Sequence, residues 1–142
     1  MNDHASGIAL AYASLRAAAH VGDFWVQTDC QAVRKGDPGW AGRLACGRHA
    51  GTYVGTQLLA LVVAGVLAGH GWGLSGLTWG LTASGATHYW ADRRKPLERL
   101  SDRVGKGEFY RRGEGLGRGS FHLDQAWHHG WEFIAALMIG AM

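Results

Sequence analysis

Seven residues in four short motifs have the types and spacing to hold a divalent metal. They are His20 and Asp23 in "AAHVGDFW", His49 in "GRHAGTY", His88 and Asp92 in "THYWAD", and Asp124 and His128 in "DQAWHH". Imidazole and carboxylate together suit Zn²⁺, Mn²⁺ or Fe²⁺. The set exceeds the four ligands of an ordinary tetrahedral site, so it fits one ion or a two-metal centre. Within the three paired motifs, spacings of three or four residues place both members on one face of a helix, one turn apart.

Other polar residues stand close by. Gln27, Asp29 and Lys35 follow the first motif, Tyr53 lies one turn beyond His49, Gln125 follows Asp124, and Glu132 lies one turn beyond His128. Glu132 would act as a general base on metal-bound water or, in the quieter role, orient His128, and Asp23 is the alternative proton acceptor. His129 points about 100° around a helix from His128, which gives it a supporting or surface role. Arg93, Arg94 and Lys95 directly follow Asp92 and could hold a phosphate, although solvated positive charge is the commoner explanation of such a run.

Taken singly, each residue has a duller account. A helix-terminal aspartate such as Asp124 is usually a cap or a dipole partner, and a lone histidine is usually a hydrogen-bonded surface group. The argument for a metal is that all of these residues fall at one end of the helices that carry them. His4, His70 and His122 lie outside the pattern, with His4 and His70 expected at the opposite end.

The carrying elements can be read from charge. Residues 49–91 contain no Asp, Glu, Lys or Arg, and "GHGWGLSG" at 69–76 divides the stretch into halves of roughly twenty residues, the length a bilayer span requires. The first half, "GTYVGTQLLALVVAGVLAG", is the clearer span. The second, "LSGLTWGLTASGATHYW", is weaker but rich in the small residues that let membrane helices approach closely. Two further apolar segments flank this hairpin and carry internal charge at Arg16 and Glu132. The expectation is a single all-α domain over 1–142, an antiparallel four-helix transmembrane bundle with helices at about 6–25, 48–69, 74–92 and 122–141. Loops at 30–47 and 93–121 would join them, the second long and basic, with an amphipathic turn through Leu97, Leu100 and Val104. A buried hairpin in a soluble bundle is the competing arrangement.

Composition is divided on the point. Hydrophobic residues at 47% and aromatics at 11% exclude a disordered chain, and 23 glycines with 7 tryptophans resemble a membrane protein. A mean hydropathy of -0.08 pulls the other way. All but Arg16 of the 14 lysines and arginines fall within 34–48 and 93–118. By the positive-inside rule these segments, and the metal motifs beside them, face the cytoplasm. They would also attract anionic lipid headgroups. No nucleic-acid-binding motif accompanies the charge, which makes a nucleic-acid partner the minor alternative. Cys30 and Cys46 are too far apart for a Cys-x-x-Cys pair and are expected as reduced thiols. The N-terminal "MNDHASGIAL" lacks the basic region of a removable signal peptide.

The ordered pattern "HVGDFWVQTD", a lysine, "RHAGTY", "THYWADRRK" and "LDQAWHH" resembles the family catalogued as domain of unknown function 3307, small bacterial integral membrane proteins. The resemblance spans about residues 20–132. It implies a helical protein of the bacterial inner membrane with a polar signature at His20, Asp23, Gln27, His49, His88, Asp92, Asp124, Gln125 and His128. The family brings no activity with it, so the reaction has to be argued from the site.

Three functions follow as expectations. The first is a membrane enzyme with one or two divalent ions at its cytoplasmic face, hydrolysing a substrate, such as a phosphate-bearing one, with metal-activated water. The second is a non-catalytic membrane protein whose polar or metal layer fixes the bundle while basic loops recruit a protein or anionic lipid. The third is a soluble helical regulator associated with nucleic acid. Self-association is compatible with all three.

Overall fold

The computed structural model describes residues 3–142. Among these the chain is all helical, with seven α-helices and no strand: α1 (Asp3–Val21), α2 (Asp29–Arg34), α3 (Gly39–Ala68), α4 (Leu74–Asp92), α5 (Lys95–Arg103), α6 (Gly107–Arg111) and α7 (Gly119–Ala141). A π turn (Gly22–Val26) follows α1, and a short 3-10 turn (Gly115–Gly117) precedes α7.

The four longest helices pack side by side. α1 lies against α3 and α7, and α4 lies against the same two. Each contact runs antiparallel: Gly7 is near Gly140 whereas Arg16 meets Glu132, and Gly80 touches Ile139 whereas Thr87 meets Trp127.

Local chemistry sets the boundaries. α2 opens on a capping box in which Thr28 Oγ1 accepts from the Gln31 amide at 3.2 Å and Gln31 Oε1 accepts from the Thr28 amide at 2.9 Å. α3 ends at Gly69, whose positive φ of 63° allows the His70 amide to reach back to the Gly65 carbonyl at 2.8 Å. α4 gives way to α5 around Pro96, which sits in the first turn of the new helix, where its missing amide costs nothing.

Two expected loops are corrected. Residues 30–47 hold most of α2 and the first turns of α3, which begins at Gly39 rather than near 48. Residues 93–121 hold α5, α6 and the start of α7. In the second segment Lys95, Arg99, Arg103 and Arg111 lie on helices with an inward apolar side: Leu97 and Tyr110 bury against Ala91, with Leu123, Trp90 and Trp127 packed around them. Leu100 lies partly buried on α5, while Val104 remains exposed at its end. At the first helix the expected 6–25 becomes α1 plus the π turn.

Polarity is distributed inside out at mid-molecule. Leu58, Leu59, Val62, Val63, Val66 and Leu67 of α3 are exposed, as are Trp79 of α4 and Phe133 of α7. His49, Gln57, Ser84, His88, Asp92, His128 and Glu132 are buried. Among the described residues α3 alone is long and apolar enough to cross a membrane. The expected second span, α4, falls short because threonines, serines and glycines dilute it. α1 and α7 carry Arg16 and Glu132.

Candidate metal centre

The site is built on stripes of fourfold spacing. On α3 the buried residues His49, Tyr53, Gln57, Leu61 and Gly65 follow one another at intervals of four, and on α4 Gly76, Gly80, Ser84, His88 and Asp92 do the same. Such stripes lie along one face of a helix, so the polar groups of α3 and α4 face each other. Ser84 donates to Gln57 Oε1 at 2.8 Å, and one turn further along the His88 and His49 Nε2 atoms lie 3.0 Å apart.

Two carboxylates close on these imidazoles. Asp23 Oδ1 lies 3.2 Å from His49 Nε2 and 3.6 Å from His88 Nε2. Asp92 Oδ2 lies 3.2 Å and 3.1 Å from the same atoms. With the 3.0 Å side between the nitrogens, each carboxylate completes a triangle. Three ligands bonded at 2.0–2.1 Å to a tetrahedral ion are separated by about 3.3 Å, so either triangle has the size of one face of such a site. Each triangle accounts for three of the four positions of such a site. His128 joins from α7, its ring stacked 4.4 Å from that of His88, and with His88 and Asp92 it forms a second group of ligand atoms close enough to share an ion.

The buried atoms at the centre fit a missing partner. Asp23 Oδ1 and Asp92 Oδ2, the carboxylate oxygens that face the paired Nε2 atoms, make no well-formed hydrogen bond. An unsatisfied buried polar group is costly, and two such oxygens converging on the same nitrogens are what a cation would satisfy. Burial penalises the charge of Asp23. The neighbouring His49, His88 and His128 outweigh that penalty and hold its carboxyl below the ordinary range. Lys35, just past α2, binds Asp92 Oδ1 at 2.8 Å and turns the other oxygen toward the imidazoles.

Behind the ligands stands a supporting layer. The Tyr53 ring stacks on His88 at 3.7 Å, and its hydroxyl donates to Glu132 Oε1 at 3.2 Å. Arg16 Nη1 lies 3.4 Å from Glu132 Oε2. Glu132 belongs to neither ligand group and reaches the imidazoles through Tyr53. Asp124 also stands outside both groups. It is partly exposed and contacts His128 Nε2 at 3.4 Å.

His20 is corrected. It is exposed, lies 3.2 Å from Arg16 Nη2, and its ring stacks loosely on His129 at 6.4 Å. The expected pairing with Asp23 assumed continuous α-helix, whereas the backbone widens into the π turn, closed by the Gln27 amide on the Gly22 carbonyl at 3.0 Å. The change of phase turns Asp23 inward without His20. Gly22 allows the approach, since a methyl group there would lie 3.2 Å from the Tyr53 ring.

The basic run after Asp92 divides. Arg93 donates to the carbonyls of Lys35 and Asp37, both at 2.6 Å, and so fastens the α2–α3 linker. Arg94 lines a polar cavity beside Asp92, and Lys95 lines a separate one. Gln27 brings a buried amide nitrogen without a partner, as does the His129 ring, and Gln125 is half-buried outside both ligand groups. His4 and His70 lie at the far end, against Gly140 and Gly7. Sequence reasoning missed Gln57 and Ser84, although both sit four residues from residues it selected. It also left Lys35 without a partner, because nothing local connects residues 35 and 92. Cys46 is buried, Cys30 exposed, and both are free thiols. Comparison with family models, curated proteins and solved structures gives no match.

Proposed function

We propose that this chain is a metal-dependent hydrolase of the bacterial inner membrane, a four-helix bundle of α1, α3, α4 and α7 with its site at the cytoplasmic face. The observation that carries the reading is the pair of imidazole nitrogens closed into ligand-sized triangles by Asp23 and Asp92, with a coordination position left over. A structural ion is normally enclosed by four protein ligands, whereas a catalytic one keeps a place free. A bound divalent ion would supply polarisation of the scissile group and lower the pKa of water toward about 7.

The chain's own residues do the rest. His49, His88 and Asp92 hold the ion, with His128 and Asp124 beside them. Lys35 orients Asp92, and Tyr53 with Glu132 fixes the plane of His88. Asp23 is more exposed than Asp92 and is the proton acceptor of choice. The membrane setting rests on the apolar exterior of α3 over a polar interior, since polar side chains in membrane proteins face the bundle core. The cytoplasmic orientation rests on Lys35, Arg93 and Arg94 clustering at the site end. The resemblance to domain of unknown function 3307 belongs to this same reading.

Elemental analysis of detergent-purified protein tests it. Wild type and His70→Ala should retain a stoichiometric divalent metal, and His88→Ala and Asp92→Asn should lose it while keeping their helical circular dichroism. Hydrolysis of chromogenic ester probes should stop on chelation and return with added zinc. Metal in all four proteins, or in none, would overturn the ligand assignment. One observation favours a non-catalytic polar layer instead: Lys35 already neutralises part of Asp92 at 2.8 Å. That reading gains if the metal-free protein is fully folded and takes up no ion.

A further inference from the structure

A cavity of about 620 Å³ lies between the end of α4, α5, α6 and the first turn of α7. Asp92 and Asp124 form its inner wall, so it adjoins the metal ligands, while Lys35, Arg94, Arg111 and Arg118 bring positive charge to it. Half of this charge is matched within the protein. Lys35 binds Asp92, Arg111 binds Asp102 at 2.6 Å and Glu98 at 3.4 Å, and Asp124 faces His128. Two cations are left over. Among the described residues, the only hydrogen bond of the Arg94 guanidinium is to the Ala32 carbonyl at 2.8 Å, and Arg118 has no carboxylate within ion-pair distance.

Arg94 is held in place at a conformational cost. It is the only non-glycine residue with positive φ among those described, at 60°. Such strain persists where surrounding structure enforces it, often at ligand sites. Gly36 makes room for it: a methyl group there would meet Arg94 Cδ at 2.7 Å. Opposite, Arg118 caps α7 without a side-chain hydrogen bond, so the positive end of a 23-residue helix adds to its charge.

We propose that this cavity binds a phosphomonoester dianion, gripped by Arg94 and Arg118, and that this is the substrate class of the hydrolase. The assignment of substrate rests on the metal reading, while the binding site stands on the cavity itself. Two unpaired guanidinium groups match the charge of a monoester, about -1.5 to -2 near neutral pH, and suit its oxygens in a way a diester monoanion does not repay. In the reaction the ester P–O bond breaks, a water oxygen bonds to phosphorus, and the alcohol leaves with a proton from that water. The ester is a lipid headgroup or a soluble phosphate, since both present the same group.

Calorimetric titration of the detergent-purified full chain, at fixed ionic strength and with and without zinc, tests the site. Phenyl phosphate is the soluble probe, and mixed micelles of phosphatidic acid, against phosphatidylglycerol, are the lipid probe. Arg94→Gln and Arg118→Gln should each weaken monoester binding by about tenfold or more, the size expected for losing one charge-assisted pair. Arg43→Gln removes the same charge from a neighbouring cavity and should leave binding unchanged. The tighter of the two probes names the source. Arginine-dependent binding in protein that takes up no zinc would support the cavity and refute the metal. Absence of monoester binding with and without zinc, or equal weakening by Arg43→Gln, would overturn the proposal.

Discussion

The two ends of the same four helices are packed by opposite rules. At the far end the backbones nearly touch. A methyl group at Gly140 would collide with the backbone of Ile8, and one at Gly80 would lie 2.9 Å from the Ala135 carbonyl oxygen. Ala11, Leu15, Leu61, Ala135, Ala136 and Ile139 fill what space is left. At the near end imidazole and phenol rings stack between the helices, with buried carboxylates among them. Small residues gain contact energy by approach, and large polar ones gain it only from partners. The tight end therefore acts as a clamp, and the near end carries unsatisfied groups that the clamp keeps from relaxing.

The largest expected effect lies at the near end. Lys35→Met leaves Asp92 buried without its cation and should cost the metal-free protein about 3–5 kcal/mol, as breaking a buried ion pair does. Zinc should return most of that loss, because it takes over the charge of Asp92. Unfolding titrations in detergent with and without zinc read the difference, and an equal loss in both would show that no metal reaches Asp92.

Between the ends, Leu59 is 64% exposed on α3. Leu59→Lys should disfavour membrane insertion by roughly 3 kcal/mol, the cost of a lysine near the bilayer centre. Carbonate extraction of expressing cells measures it. Unchanged partitioning would place this face in water and revive a soluble regulator.

At the far end, Gly80→Leu should cost about 1–3 kcal/mol by overpacking. Thermal melts should fall while metal per folded molecule stays constant. Metal lost from protein that is still folded would mean the two ends are not separable. The smallest effect is Ser84→Ala, which removes the donor to Gln57 Oε1 at the border of the two regions and should cost about 1 kcal/mol. A loss several times larger in the same melts would extend the polar chamber toward the clamp.

Much of the site was legible because it is periodic. His49 with Tyr53, and His88 with Asp92, announce their shared faces by spacing alone, and the structure brings those faces together. His128 was legible in the same way through its place beside Asp124. His20 was misread because one π turn, invisible to a rule of 3.6 residues, moved Asp23 without it. The basic segments were taken for loops because charge was read as solvent, although Leu97 and Tyr110 supply an inward side to α5 and α6.

By itself, then, the sequence determined an all-helical chain, an uncharged central stretch, and polar stripes on the faces of individual helices. These depend only on local dihedral preference and on spacing along one element. Tertiary structure alone decided which stripes meet, that Lys35 from a linker reaches Asp92, and that Arg118 joins Arg94 at one cavity. Such contacts depend on the rotation and separation of whole helices, which are set by packing between elements and have no signature within any one of them.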